Sequence, residues 1–260
     1  MFRSPGAIAF QVGPLTIRWY GILMAAAILV GFWLADREAK REGINPDKLL
    51  NAGQWAVIAG LIGARLYEVV FNWDYYGRHL SKIPAVWEGG LAIHGGLILG
   101  ILAGLWVGRR EGLPILRCLD VVAPSLAIGQ AIGRWGNFFN EEAFGTPTSL
   151  PWKLYISPQN RPLPFASSEY FHPTFLYESL WDLGVFVALI ALRRRLVGRS
   201  GAVFFLYIGL YSVGRFLIES IRLDSFWLGP FRVPQLASVA GVGLAVAGLL
   251  YLRSHRRVAA

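Results

Sequence analysis

The chain has 260 residues, 55% of them hydrophobic and only 16% charged, and its mean hydropathy of +0.46 excludes an ordinary water-soluble domain. A formal net charge of +9 raises nucleic acid as a partner, but the basic residues form neither a stripe nor a tail and sit in clusters between apolar runs, which argues against one. The single cysteine, Cys118, excludes an internal disulfide framework and a cysteine-based metal site.

Apolar runs long enough to cross a hydrocarbon core of about 30 Å occur at 17–35, 50–71, 92–109, 174–192, 202–220 and 233–252, with a shorter one at 118–133. Only helices and closed barrels satisfy the backbone in lipid, and these runs lack the period-two alternation of barrel strands, so all seven are predicted helices. The first run continues into a charged stop and has no small-residue cleavage site, which reads as a retained span. The predicted fold class is an all-α polytopic membrane protein with seven transmembrane helices and a small external head domain.

Arg37, Lys40, Arg41 and Lys48 follow the first run, Arg109, Arg110 and Arg117 the third, Arg193, Arg194, Arg195 and Arg199 the fifth, and Arg253, Arg256 and Arg257 the seventh. Every odd span thus ends on a basic cluster, which puts the N-terminus outside and the C-terminus in the cytoplasm. The alternation requires 118–133 to be a span. Residues 72–91 mix Asn72, Trp73, Asp74, Tyr75, Tyr76, Trp87 and Glu88 as an interfacial belt does. Residues 137–173 hold Pro147, Pro151, Pro158, Pro162, Pro164 and Pro173, which forbid a long regular helix. They are read as an external head inserted between spans four and five of a single membrane domain, 1–260. Gly96, Gly100, Gly104 and Gly108 form a small-residue stripe for close helix packing, with no chemistry assigned.

Ionisable residues inside spans are costly and require a partner, a wet cavity or a task. In chain order, Arg18, Trp19 and Tyr20 open the first span, and Arg65 and Glu68 lie near the outer end of the second. The third opens on Gly89-Gly90-Leu91-Ala92-Ile93-His94-Gly95-Gly96, where flanking glycines leave room for a ligand at an imidazole suited to base catalysis. The fourth ends on 133–145, GRWGNFFNEEAFG, whose Arg134 suits bidentate capture of phosphate beside orienting asparagines. The fifth opens on His172-Pro173-Thr174-Phe175-Leu176-Tyr177-Glu178, with the proline at a helix start. In the sixth, Tyr211, Arg215, Glu219 and Arg222 are spaced four, four and three apart and share one face. Zinc-ligand spacing, a Walker loop and a GxSxG elbow are all missing from the sequence, so neither a metal nor another cofactor is expected.

At these clusters the sequence resembles the prolipoprotein diacylglyceryl transferase family. The strings that carry the likeness are RWYGI at 18–22, HGG at 94–96, GRWGNFFNEEAFG at 133–145, HPTFLYE at 172–178 and GRFLIE at 214–219. They run in family order over nearly the whole chain, and the GRxGNFxNxExxG string is highly specific. The resemblance implies seven spans, an outside N-terminus and an external head. It also implies a reaction in which a lipobox cysteine thiol of a prolipoprotein signal peptide attacks the glyceryl carbon of phosphatidylglycerol and glycerol phosphate leaves.

Carried over residue by residue, the likeness implies that Arg134 holds the phosphate. Asn137, Asn140, Glu142 and Gly145 complete that binding motif, Arg215 and Glu219 supply the GRFxxE pair, and His94 and Tyr20 are the functional histidine and tyrosine. The family commonly has glutamine where this chain has Phe175. A thiol with a pKa near 8.5 needs a base such as His94 to become the nucleophilic thiolate. A lipid transporter or flippase is the competing reading, since it too would hold charges inside a bundle, but no internal repeat is visible.

Overall fold

The computed structural model describes residues 1–13, 15–196 and 198–256, so Arg257 of the last basic cluster lies outside the described residues. Helices dominate: α1 (Trp19–Arg41), α2 (Pro46–Phe71), the short α3 (Trp73–Tyr76), α4 (Ile93–Arg110), α5 (Ile115–Asn140), α6 (Thr174–Leu192), α7 (Ala202–Glu219) and α8 (Val233–Arg256). Among the described residues six helices, α1, α2, α5, α6, α7 and α8, are long and apolar enough to cross a membrane, as a polytopic membrane protein requires. The run expected at 92–109 forms α4, but His94 at one end and Arg109–Arg110 at the other dilute its 18 residues, and it is not among the six.

Two expectations need correction. The fold is mostly helical but not all-α: β1 (Phe2–Arg3) pairs in parallel with β4 (Leu154–Tyr155), which pairs antiparallel with β5 (Tyr170–Phe171). Hairpins join β2 (Ile8–Val12) to β3 (Leu15–Arg18) and β6 (Trp227–Leu228) to β7 (Phe231–Arg232). Such two- to five-residue strands fall between apolar runs and carry too little alternation to register in the sequence. The second correction concerns length. The segment 118–133 is only part of α5, which continues through Asn140, so the proline-rich non-helical stretch begins at 141.

Helix ends are fixed by side chains. Asn45 accepts the Lys48 amide at 3.2 Å ahead of Pro46, which caps α2. Asp120 on α5 accepts the Gly201 and Phe204 amides at 2.6 and 2.9 Å, so a carboxylate from one helix meets the positive N-terminus of another.

The chain divides into two compact units, 35–118 and 1–34 with 119–260. In the first, α2 and α4 approach backbone to backbone. A Cβ built on Gly95 would lie 2.1 Å from the Gly63 carbonyl oxygen, and one on Gly63 would lie 2.4 Å from that of Gly95. Gly96, Gly100 and Gly104 of the expected stripe face Gly60 and Ala56, while Gly108 faces Ile115 instead. Arg65 is buried and donates to the carbonyls of Lys82, Ile83, Gly89 and Gly90 at 2.5–2.8 Å, so it pins the following loop. In the second unit α7 and α8 interlock, Phe205 filling the space beside Gly248 and Ser212 that beside Gly241. A second core of Phe138, Phe144, Leu154, Ile156, Phe171 and Phe175 joins the end of α5 to the sheet of 141–173.

We expect Gly95→Ala and Gly184→Ala to act with opposite signs. The first drives a methyl into the α2 backbone and should cost about 1–3 kcal/mol or more. The second meets nothing within 4 Å and should gain up to about 1 kcal/mol in helix propensity. Thermal unfolding in detergent measures both, and equal shifts would contradict the close α2–α4 packing.

Candidate functional site

The largest concentration of buried charge lies where the ends of α5, α6 and α7 meet. Glu178, in the second turn of α6, is 4% exposed and receives three guanidinium groups. Arg215 and Arg222 donate to its Oε1 at 2.9 and 2.8 Å, and Arg134 Nη2 lies 2.5 Å from its Oε2. Glu219, 1% exposed, lies 2.7 Å from Arg215. The Arg134–Glu178 and Arg215–Glu219 contacts are close ion pairs without the alignment of a hydrogen bond. The expected Arg215–Glu219 pair is therefore one edge of a larger network, and that network is shared with another helix.

Local sequence explains the convergence. Arg215, Glu219 and Arg222 share a face of α7 and its exit turn by their spacing. Trp135 donates to Ser179 at 3.2 Å and Ser179 to the Ala131 carbonyl at 2.8 Å, which fixes the register of α5 against α6 and sets Arg134 opposite Glu178. The side chains of Arg134 and Arg215 remain 21% and 17% exposed, so neither is sealed from solvent. Their remaining N–H groups suit a bidentate oxyanion.

Tyr20 lies beside this cluster, within electrostatic reach of Arg134 and Glu142. Its ring occupies the space where a Cβ on Gly136 would stand, 1.9 Å from Tyr20 Cδ2, and Trp19 stacks on Phe139 at 4.8 Å. The glycine of the GRWGN string thus makes room for the tyrosine of RWYGI. Asn137 and Asn140 both donate to Glu142 Oε1, at 2.8 and 3.4 Å, joining three of the expected binding residues in one exposed network. Glu141 and Ala143 adopt positive φ of 52° and 57° where the helix ends, a conformation that a non-glycine residue holds only under tertiary constraint. The constraint on Glu141 is visible: its carboxylate accepts from Ser157 and Asn160. Gly145 sits in a crowded junction, where a Cβ would lie 2.9 Å from His172 Cβ and 3.0 Å from the Ile221 carbonyl. Its place is one of packing between the 141–173 segment and the exit of α7.

His94 belongs to the other unit, in the first turn of α4. It is exposed, with its ring 5.9 Å from that of Tyr67. In the 172–178 motif, His172 Nδ1 lies 3.1 Å from the Tyr177 hydroxyl, which accepts from Trp152 at 2.9 Å. Burial holds the His172 imidazole below its ordinary pKa, so it is neutral near pH 7. Phe175 packs against Trp135 and Phe138 at 5.3 and 4.9 Å, so this chain has an aromatic cluster where a hydrogen-bonding glutamine is common.

Three residues escaped assignment from sequence. Glu178 appeared only as the last letter of a motif, Arg222 only as a member of a helical face, and Asp182 not at all. The available signal was two carboxylates one turn apart, Glu178 and Asp182, in an otherwise apolar helix. Among the described residues no group of three His, Cys, Asp or Glu side chains could hold a metal ion.

Comparison with known proteins agrees with the motifs. The prolipoprotein diacylglyceryl transferase family matches residues 7–251. The chain is 51% identical to a phosphatidylglycerol–prolipoprotein diacylglyceryl transferase of Trichormus variabilis over 99% of this chain and 93% of that one. It is 49% identical to a protein of the same name from Synechocystis over 96% and 90%. A third, from Gloeobacter violaceus, is 47% identical over 99% and 97%.

Replacing Glu178 with glutamine would leave three guanidinium groups without their shared counter-charge. A loss of about 3–5 kcal/mol of stability is expected. Asp224→Asn, on a side chain 50% exposed, should cost under about 1 kcal/mol. Thermal unfolding in detergent separates the two, and similar losses would refute Glu178 as the centre of the network.

Proposed function

The chain belongs to the prolipoprotein diacylglyceryl transferase family, and we propose that the arginine cluster around Glu178 is where its reaction takes place. That reaction moves the diacylglyceryl group of phosphatidylglycerol to the cysteine thiol of a prolipoprotein lipobox. The observation that carries the assignment is the convergence of Arg134 and Arg215, from two different helices, on one buried carboxylate, with each arginine side chain still partly exposed.

In this reading the two arginines grip the phosphate. The thiolate sulfur forms its bond to the glyceryl carbon, the carbon–oxygen bond breaks, and glycerol phosphate departs with the electron pair. Charge grows on the departing phosphate, so preorganised guanidinium groups in a low-dielectric site stabilise the transition state more than the substrate. Glu219 holds Arg215, while Asn137, Asn140 and Glu142 frame the approach to Arg134 and Gly145 secures their junction with α7. His94 takes the thiol proton and Tyr20 orients lipid or thiol beside Arg134.

We further propose that α4 is a seventh span. Its 18 residues extend about 27 Å at 1.5 Å per residue, close to the hydrocarbon thickness. With seven spans the basic clusters fall on the cytoplasmic side of the bacterial inner membrane, and residues 141–173 form a head outside it, near the lipid headgroups.

The reaction is tested by incubating purified protein with phosphatidylglycerol and a lipobox peptide. The peptide should gain the mass of a diacylglyceryl group, and a lipid translocase would leave it unchanged. Arg134→Lys and Arg215→Lys keep the charge but lose the fork, and each should lower turnover about 30- to 1,000-fold, equivalent to about 2–4 kcal/mol. Near-normal turnover in both would refute bidentate capture. The orientation is tested separately: an impermeant thiol reagent on intact cells should label Ser168→Cys and spare Ser200→Cys, and the reverse pattern would invert the topology.

A further inference from the structure

Asp182 lies one turn beyond Glu178 on α6 and is 3% exposed. Its Oδ2 is buried and has no hydrogen-bond partner among the described residues. The side chain lines a recess together with Glu178, Trp181, Tyr211 and Arg215. Two neighbouring donors are committed elsewhere. The Trp181 indole donates to the Leu210 carbonyl at 2.9 Å and is wedged against Gly214, where a Cβ would lie 2.1 Å from its Nε1. The Tyr207 hydroxyl donates to Gln130 at 2.9 Å. The titratable and charged groups that face Asp182 are Arg134 from α5, Glu178 from its own helix, and Tyr207, Tyr211 and Arg215 from α7.

A charge balance gives this carboxylate a task. The cations of the cluster are Arg134, Arg215, Arg222 and Arg232, the last donating to the Glu219 and Arg222 carbonyls, and the anions are Asp224 and the buried Glu178, Glu219 and Asp182. Asp224, half exposed, pairs with Arg222 and offsets the charge of Arg232. The empty site is therefore neutral when all three buried acids are ionised. A bound phosphodiester adds one negative charge, and an uncompensated charge is costly in such surroundings. Of the three buried acids, Glu178 and Glu219 are held in ion pairs by guanidinium groups, whereas Asp182 has no ion pair among the described residues.

Resting on the reading of Arg134 and Arg215 as the phosphate clamp, we propose that the phosphodiester and one proton bind together, and that the proton goes to Asp182. Asp182 is then ionised in the empty site, where it offsets the arginines, and neutral in the lipid complex. Neutralisation restores the balance and supplies an O–H at the oxygen that lacks a donor.

The experiment is binding of phosphatidylglycerol in neutral-detergent micelles to the purified full chain between about pH 5.5 and 8.5. The lipid phosphodiester keeps its single charge across that range, so any slope belongs to the protein. Wild type should bind more weakly as pH rises, approaching a tenfold loss of affinity per pH unit, and should take up about one proton per lipid in weak buffer. Asp182→Asn should flatten the slope and bind at least as tightly as wild type at the highest pH, and Asp182→Glu should retain the slope. A flat wild-type profile with no proton uptake, or an unchanged slope in Asp182→Asn, overturns the proposal while leaving the clamp intact. If wild type and Asp182→Asn bind no phosphatidylglycerol at any pH, the clamp itself fails and the proposal with it. If Asp182→Asn does not fold, proton uptake by wild type and the Asp182→Glu profile still decide.

Discussion

One carboxylate shared by three guanidinium groups governs this structure. Taking Glu178 and its arginines out of water is costly, and only mutual pairing with good geometry offsets that cost. Each arginine comes from a different stretch of chain: Arg134 from the last turns of α5, Arg215 from α7 and Arg222 from the turn beyond it. The ends of these helices and of α6 must therefore meet at one depth. A slip of one residue along α5 would swing Arg134 by about 100° away from Glu178.

Much of the surrounding sequence acts to hold that depth. The Trp135–Ser179–Ala131 chain of hydrogen bonds fixes α5 against α6. Gly136 admits the Tyr20 ring, so α1 lies against the same turn of α5 that carries Arg134. Beyond Asn140 the chain leaves helix through two residues of positive φ, and Glu141 ties that exit to Ser157 and Asn160. The aromatic core of Phe138, Phe144, Phe171 and Phe175 then seats the small sheet on the helix ends. Phe175 contributes apolar packing to that seat where a glutamine would contribute a hydrogen bond. The glycines of the motif string serve different ends: Gly136 makes space for a ring, and Gly145 lets two loops cross.

The helices were legible because apolar runs about 20 residues long have few other interpretations. Asn140 as the end of α5 was not, because glycine, tryptophan and asparagine in 133–140 read as a break, and only Tyr20 and Trp135 packing shows why they stay helical. The short strands were hidden for a different reason: pairs such as β1 with β4 join residues 2–3 to residues 154–155, and no local pattern encodes a partner so distant. Within the site, Arg134, Arg215, Glu219 and Tyr20 were visible as charges or rings in apolar context and do gather in one unit. Glu178 was overlooked as the hub because an acid in a helix announces neither how many partners it has nor where they come from. Asp182 stands one turn from Glu178 in an apolar helix, but its buried oxygen without a hydrogen-bond partner among the described residues shows only in the structure.

In the proposed reading, the arrangement also bears on how guanidinium groups can act on a phosphate ester. Guanidinium groups already paired with Glu178 and Glu219 have met their desolvation cost during folding, so phosphate arrival requires little further rearrangement of charge. Paired arginines also discriminate between states. A diester substrate carries one negative charge, whereas the departing glycerol phosphate gains a second as the carbon–oxygen bond breaks. Electrostatic attraction rises with that charge, so a phosphate clamp at this cluster would hold the leaving group more tightly at the transition state than at the start. Arginine suits this better than lysine, because a planar fork can keep one edge on a carboxylate and present the other to phosphate. The same geometry limits the gain, since each carboxylate that stabilises the empty cluster weakens its pull on the substrate. In the proposed complex a cluster whose arginines are already matched by acids gains one excess negative charge, and the buried acid that no guanidinium holds is the one whose charge costs least to remove.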